Sequence, residues 1–431
     1  MNSTPILIIL AGGASSRMWP LREKSLLRFG TEPLLFVQLR RYQAMGFHEI
    51  VIISNPENQA DIASLAAQIP QLNVRVVVQH QAKGMGDALL QAAPALPSRP
   101  GIPLYITQVH DVVDDQLHMD MLQAWRRDPS TSYIAGYERE DYFPGGYLIV
   151  SPTGRLTGLI EKPGPDKKPS NLVNIVAHIH TDSARLLEAI RAQYYAAEQA
   201  DDHYERAIDN LMKNEVFRVV PYHGQWSALK YPWQVLDVMN YYLNKIQGQH
   251  IAESAFVANT ASLVGDVYIG DQARVFPGAA IVGPAYIGAH TVVGNNALVR
   301  NSMVLNHCNV GFTTEVARSY VSDHCDLHAC RVLDSVFASN VNFSAGCTTA
   351  NLRIDHGSVA SVVKGEKLDT GRSKLGAVIG QGAFLAVDVM TMPGVKIGER
   401  AQVGPGTHVH QDILNSQRVY VKQQQMIVDP E

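Results

Sequence analysis

The sequence contains no long run of Lys and Arg, and its formal net charge is −4. That balance argues against nucleic acid as a partner, so any recognition of phosphate has to be local. It contains no apolar stretch long enough to span a bilayer, and no membrane partner is expected. The first apolar run, residues 6–11, is short and has no basic leader, which reads as a buried strand rather than a signal peptide. Cysteine is scarce. The four present, Cys308, Cys325, Cys330 and Cys347, all lie in the second half and form no CxxC pair. Reduced thiols and a cytoplasmic location are the expectation. A large disordered fraction is also missing, since 46% of the residues are hydrophobic and 18% charged. The 431 residues exceed one ordinary core, which predicts two domains.

The two halves have different periods. Up to about residue 110, short apolar runs (5–10, 49–54, 74–79, 104–109) alternate with amphipathic segments (34–45, 59–68, 86–93). This is the pattern of βαβ units around a mixed, mostly parallel sheet, in which ligands bind at the carboxyl ends of strands. From residue 250 an aliphatic side chain returns every six residues: Ile251, Val257, Leu263, Ile269, Val275, Ile281, Ile287, Val293 and Val299. A second run holds Ile379, Leu385, Thr391, Ile397, Val403 and Val409. Six residues do not keep one helical face, but they supply one short side of a triangular solenoid, a β-helix. Between the runs the period drifts, and the polar, charged stretch 352–378 reads as a loop interrupting a coil. Residues 231–249 read as a connecting helix, with Trp233, Val238, Tyr241 and Tyr242 as its packing side.

The turn after the first strand reads Leu10, Ala11, Gly12, Gly13, Ala14, Ser15, Ser16, Arg17, with Lys24 seven residues further on. Two glycines let backbone N–H groups approach phosphate oxygens, Arg17 offers a bidentate fork and Lys24 a point charge. By itself such a turn is also compatible with a tight strand-to-helix connection. The segment AGGASSRMWPLREK resembles the signature of the sugar-1-phosphate nucleotidyltransferases, with an Arg-to-Lys interval like that of bacterial N-acetylglucosamine-1-phosphate uridylyltransferases. Glu23 stands where that family usually has Pro.

The resemblance continues in order along the chain. Gln79 to Gly86 (QHQAKGMG) is similar to the base-recognition segment, and implies that Gln79 and Gly84 meet the nucleotide; Met85 replaces a Thr. Asp111 falls where the family holds Mg²⁺, the cofactor the resemblance implies, and His110 replaces the preceding Gly. Gly145-Gly146-Tyr147, Glu161-Lys162-Pro163 and Asn174 resemble the sugar pocket, implying contacts from Gly146, Glu161, Lys162 and Asn174. The stretch from Trp226 to Trp233 resembles a closing segment of archaeal-type members. There Ala228 occupies the position of a second metal ligand. Alanine cannot coordinate, so Asp114 or Asp115 compensates, substrate phosphates hold the metal, or catalysis is impaired.

The second half resembles left-handed β-helix acyltransferases, above all the acetyltransferase half of archaeal-type bifunctional enzymes. The matching segments are 342–353, 370–377 and 392–395. Phe312 stands where the acetyltransferase base, a His, is expected, and His324 or His328 is either a substitute or an ordinary coil residue. The resemblance implies a Rossmann-like nucleotidyltransferase domain (1–230), the connecting helix (231–249) and a left-handed parallel β-helix (250–431). The implied reaction joins a nucleoside triphosphate to a sugar 1-phosphate. Uridine is preferred from Gln79, with N-acetylglucosamine or glucose as first sugars. A homotrimer through the β-helix is implied too. The alternatives are a catalytically weak assembly subunit and cytidylyl or guanylyl transfer to another phosphorylated alcohol.

Overall fold

The computed structural model describes residues 4–196, 202–422, 424 and 426–428. They divide into two compact units. The first runs to Ala14 and resumes over Leu34–Ala228, and the second combines Ser15–Pro33 with the chain from Leu229 onward. The sequence reading places 15–33 in the first domain and treats 231–249 as a connector; in the structure both cluster with the β-helix.

In the first unit, β1 (Ile6–Leu10) is buried along its whole length. It pairs in parallel with β2 (Glu49–Ser54), and β2 with β3 (Asn73–Val78). β4 (Leu104–Gln108) lies in parallel on the other side of β1. Apolar runs buried on both faces are what a parallel sheet between helices requires. The helices are α1 (Leu34–Ala44), α2 (Gln59–Ala67), α3 (Gly84–Ala92), α4 (Asp115–Arg127), α5 (Ser183–Ala196) and α6 (His203–Leu211). A short β5 (Asp111–Val113) follows β4. The remaining strands are β6 (Ser132–Glu138), β7 (Gly146–Val150), β8 (Leu156–Glu161), β9 (Leu172–His180), β10 (Phe217–Tyr222) and β11 (Trp226–Ala228). The sheet order is β10-β6-β9-β4-β1-β2-β3, with β7 and β8 attached at β9. β9 is antiparallel to both neighbours, which makes the sheet mixed.

In the second unit, α7 (Val235–Leu243) precedes three parallel sheets of eight, nine and eight strands, one per side of the coil. The coil is the β-helix that the hexads predict, consistent with the left-handed form that the resemblance implies, and from Ile269 onward their aliphatic side chains form its core. Ile269 stacks on Ile287, eighteen residues on, but Ile287 stacks on Val304 and Val304 on Val321, each seventeen on. Each seventeen-residue step is a residue dropped at one corner, and the sixteen-residue step from Val321 to Phe337 drops a second, without loss of register. A serine ladder closes that corner. Ser319 N donates to Ser302 Oγ and Ser335 N to Ser319 Oγ, both at 3.0 Å. The corner residues Asn301, Arg318 and Asp334 take left-handed φ values of 47°, 49° and 46°. The stretch 352–378 is more ordered than a loop, since Val359–Val363 and Glu366–Arg372 form an antiparallel hairpin. Among the described residues, no helix is long and apolar enough to cross a membrane.

Candidate active site

The strand order reverses beside β1. The chain moves from β1 outward to β2 and β3, then returns to place β4 on the opposite side. Such a switch point opens a crevice at the carboxyl ends of the strands, where Leu10, Ala11, Gly12 and Gly13 lie. Ala11 N donates to Ile53 O at 2.8 Å, which fixes the root of the loop. A Cβ on Gly12 would stand 3.0 Å from both Ser54 O and Gln79 Oε1, so the close approach of backbone to Gln79 requires glycine. A Cβ on Gly13 would meet nothing within 4 Å. Asn58 Nδ2 donates to Ala11 O at 2.9 Å, and Asn55 Nδ2 reaches Gly13 O at 3.5 Å. These contacts engage two carbonyl oxygens of the glycine loop. Sequence reasoning missed both asparagines, because Asn55-Pro56-Glu57-Asn58 reads as an ordinary turn.

Gln79 is buried. Its Nε2 donates to Gly84 O at 3.1 Å and to Asp87 Oδ2 at 2.8 Å. Both partners only accept, so the orientation of the amide is chemically fixed and Oε1 is left as the acceptor beside Gly12. Gly84 opens α3 at φ +86°, a conformation that an L side chain rarely adopts. Asp87, one turn into α3, is thus an orienting residue that the sequence reading did not single out.

Asp111 opens β5, which pairs antiparallel with β11 so that Asp111 faces Ala228 directly. Trp226 Nε1 donates to Asp111 Oδ1 at 3.0 Å. Neither proposed substitute for the missing ligand is placed as one. Asp114 Oδ2 accepts from Gln225 N and Tyr222 Oη, each at 3.1 Å, and so ties down the turn into β11. Asp115 pairs with Arg41. Among the described residues, no group of three or more His, Cys, Asp or Glu side chains is arranged to hold a metal ion. One buried carboxylate at a strand start still fits Mg²⁺, which keeps several waters and takes its other oxygens from phosphates.

Gly146, Glu161 and Asn174 come together on three strands. Gly146 faces Glu161 across the β7–β8 pair. A Cβ on Gly146 would lie 3.3 Å from Glu161 Oε2 and 3.4 Å from Asn174 Cβ. Lys162, at φ 45°, sets Nζ 3.3 Å from Glu161 Oε1. Glu205 on α6 is buried nearby, and its Oε2 has no hydrogen-bond partner among the described residues. Burial, reinforced by the charge of Glu161, pushes its carboxyl up to about 8. No motif flagged Glu205, because a single acid in an amphipathic helix reads as a solvated face.

Arg17 and Lys24 lie in the second unit. Arg17 Cζ stands 5.8 Å from the Tyr231 ring centroid, and Tyr231 stacks on Trp233 at 4.8 Å. Lys24 starts a single 3₁₀ turn, whose cap is the Glu23 carboxylate accepting from Ser25 N and Ser15 Oγ. That use of Glu23 accounts for the departure from Pro. The segment is fastened along the β-helix. Trp19 Nε1 donates to Asn415 Oδ1 at 2.9 Å, Arg22 forks onto Glu399 at 2.6 and 2.7 Å, and Tyr320 Oη donates to Arg28 O at 2.8 Å.

The family model described as nucleotidyl transferase matches residues 6–227, and one described as the GMPPB C-terminal domain matches residues 263–364. The bifunctional sugar-1-phosphate nucleotidylyltransferase/acetyltransferase of Sulfurisphaera tokodaii is 28% identical, over 94% of this chain and 97% of its own length. The bifunctional protein GlmU of Methanococcus maripaludis is 27% identical, over 97% of this chain and 98% of its own. A solved UDP-glucose pyrophosphorylase from Acinetobacter baumannii is similar over 55% of this chain and 93% of its own, at 17% identity and a TM-score of 0.46. With a family model matched over more than half its length, the chain belongs to the nucleotidyl transferase family, in the sugar-1-phosphate class, and carries a parallel β-helix as its second half.

Proposed function

We propose that this enzyme transfers a nucleotidyl group from a nucleoside triphosphate to a sugar 1-phosphate, with UTP and N-acetylglucosamine or glucose 1-phosphate as the preferred pair. A phosphate oxygen of the sugar 1-phosphate attacks the α-phosphorus, the bond to the β-phosphate bridging oxygen breaks, and pyrophosphate leaves. No general base is needed, because the attacking phosphate is already ionised. The barrier lies in bringing two polyanions together, so positioning and positive charge accomplish the step. In this reading the Gly12–Gly13 amides and Arg17 hold the triphosphate and Lys24 steadies the reacting phosphates. Asp111 would hold Mg²⁺, which would supply positive charge to the phosphates. Glu161 and Lys162 face the sugar beside Gly146 and Asn174.

The observation that carries the reading is the locked amide of Gln79 against Gly12. An acceptor there suits the imide N–H of uracil, and suits cytosine poorly, whose ring N3 is itself an acceptor. Pyrophosphate release from each nucleoside triphosphate with a panel of sugar 1-phosphates and Mg²⁺ tests it. Turnover with UTP and at least one sugar phosphate is expected, and absence of turnover with every pair rejects the reading.

The second reading, a catalytically weak assembly subunit, draws on Ala228, and the same panel decides it. For the β-helix we propose homotrimerisation, supported by apolar side chains left exposed on the coil, Phe312 and Phe384 among them. Light scattering in solution should return three chain masses. Acetyl transfer is not expected, because Phe312 is no base, and coenzyme A release with glucosamine 1-phosphate should stay at background.

A further inference from the structure

β9 lies antiparallel between β4 and β6, and its register against β6 slips. Ile134 faces His178, but the next residue, Ala135, faces Ile175. Residues 176 and 177 are the excess, a bulge in β9 next to the sugar-facing Asn174. In a regular strand, residues four apart are separated by roughly 13 Å. Here Asn174 Oδ1 and His178 Nε2 are 2.7 Å apart. Bulges recur next to active sites, where they re-aim a side chain.

The contact continues inward. His178 Nδ1 lies 2.7 Å from Tyr204 Oη, and Tyr204 Oη lies 3.1 Å from His180 Nε2. The Tyr204 ring stacks on His178 at 5.7 Å and 10°. All four side chains are buried, the two imidazoles to within 2% of full burial. Desolvation holds His178 well below the usual histidine range and His180 at about 3, so both are neutral. A neutral imidazole has one N–H and a phenol one O–H, and Asn174 turns its oxygen, which only accepts, toward His178 Nε2; that contact gives the chain its direction. His180 Nε2–H donates to Tyr204 Oη, Tyr204 O–H to His178 Nδ1, and His178 Nε2–H to Asn174 Oδ1.

We propose that His178 is a positioning residue for sugar recognition: brought back by the β9 bulge, it holds the Asn174 carboxamide by its oxygen and leaves the N–H₂ as a donor beside the Glu161 acceptor. A donor and an acceptor side by side, next to a glycine with no side chain, read two neighbouring hydroxyls of a sugar. The inference rests on the function proposed above, because it needs Glu161 and Asn174 to line the sugar pocket.

Steady-state kinetics of five variants, with the best substrate pair of the wild type, tests it. His178→Leu removes the donor, and should raise KM for the sugar phosphate roughly tenfold with kcat and the triphosphate KM little changed. His178→Gln places an amide N–H close to the lost Nε2 and should restore KM to within about twofold. Tyr204→Phe, which frees the tautomer, should fall between them. Adding His178→Leu to Asn174→Ala should cost nothing further, since the residue it positions is gone. Thermal midpoints are measured alongside. If His178→Leu and Tyr204→Phe lower the midpoint but leave the sugar-phosphate KM alone, or raise both KM values together, the role is structural and the proposal is overturned. Should His178→Leu fail to fold, the contrast between His178→Gln and Tyr204→Phe decides in the same way. A wild type that turns over no sugar phosphate removes the function proposed above, whereas a wild type with a KM indifferent to His178 removes only this inference.

Discussion

Asp87 accepts a hydrogen bond from the Gln79 amide nitrogen at 2.8 Å, and that contact decides which atom of Gln79 a base can meet. With both N–H groups taken by acceptors, only Oε1 remains to be offered. The expected consequence is a preference of about tenfold or more in kcat/KM for UTP over CTP. Asp87→Asn gives the amide a partner that can donate as well as accept, so Gln79 is free to flip. That variant should narrow the preference toward parity; an unchanged ratio would mean that another residue selects the base.

Ala228 faces Asp111 across the β5–β11 pair and supplies no oxygen. Ala228→Asp would set a second carboxylate opposite the first. The Mg²⁺ concentration for half-maximal rate should then fall severalfold, as expected when a hard cation gains an anionic oxygen ligand. Asp111→Asn should reduce kcat by about 100-fold or more, the scale on which loss of a charge-stabilising group slows transfer. Titration of the initial rate with Mg²⁺ measures both. A variant whose Mg²⁺ dependence matches the wild type would show that this pair is not where the ion binds.

Arg22 and Glu399 form a two-bond fork that fastens the segment carrying Arg17 and Lys24 to the coil. Arg22 is largely exposed, so its pairing contributes about 1 kcal/mol or less to stability. Its expected effect is on order rather than on folding. Arg22→Ala should leave the thermal midpoint nearly unchanged and lower kcat/KM several-fold, with the loss reversed by Arg22→Lys only in part, because Lys cannot fork. Equal changes in midpoint and rate would point to general destabilisation.

Four buried groups set the pH dependence of stability. His118 and His180 are pushed down to about 3 and His178 well below the usual range, in each case first by desolvation. Unfolded, each binds a proton near pH 6.5, so below that pH the unfolded state takes up protons and stability falls with acid. Glu205 is pushed up to about 8, first by desolvation. It is protonated when folded and ionised when unfolded between pH 4.5 and 8, so its contribution is full in acid and is lost as pH rises to 8. Each group contributes a slope of about 1.4 kcal/mol per pH unit within its window. Urea midpoints should peak near pH 6.5, falling more steeply toward pH 5 than toward pH 8. Glu205→Gln should flatten the alkaline side and steepen the acid side between pH 4.5 and 6.5, where its slope opposes that of the histidines; a wild-type profile flat from 6.5 to 8 would show that Glu205 does not titrate in this way.

Several features could be read in the sequence because they are local or periodic. The alternation of short apolar runs and helices placed β1 to β4 within a residue or two of their observed ends. A six-residue recurrence admits one architecture, because each aliphatic side chain must reach the same axis. The drift after residue 300 looked like a loss of pattern. A residue removed at a corner shifts the count but not the stacking, and a buried hydroxyl ladder has no signature along one chain.

What the sequence determined by itself was a set of local motifs and one long repeat, and the resemblance those motifs carry implied the class of chemistry. Two glycines followed by Arg17 and Lys24, a carboxylate just after β4 and a repeat every six residues are each contained in a short stretch of chain. The tertiary structure decided which atom each site group presents. Asp87 orients Gln79, the β9 bulge returns His178 to Asn174, and Glu399 and Asn415 hold the segment that follows the glycine loop. These partners lie four, eight or nearly four hundred residues apart. Hydrogen-bond direction and burial depend on distance through space, which the order of residues along the chain does not contain.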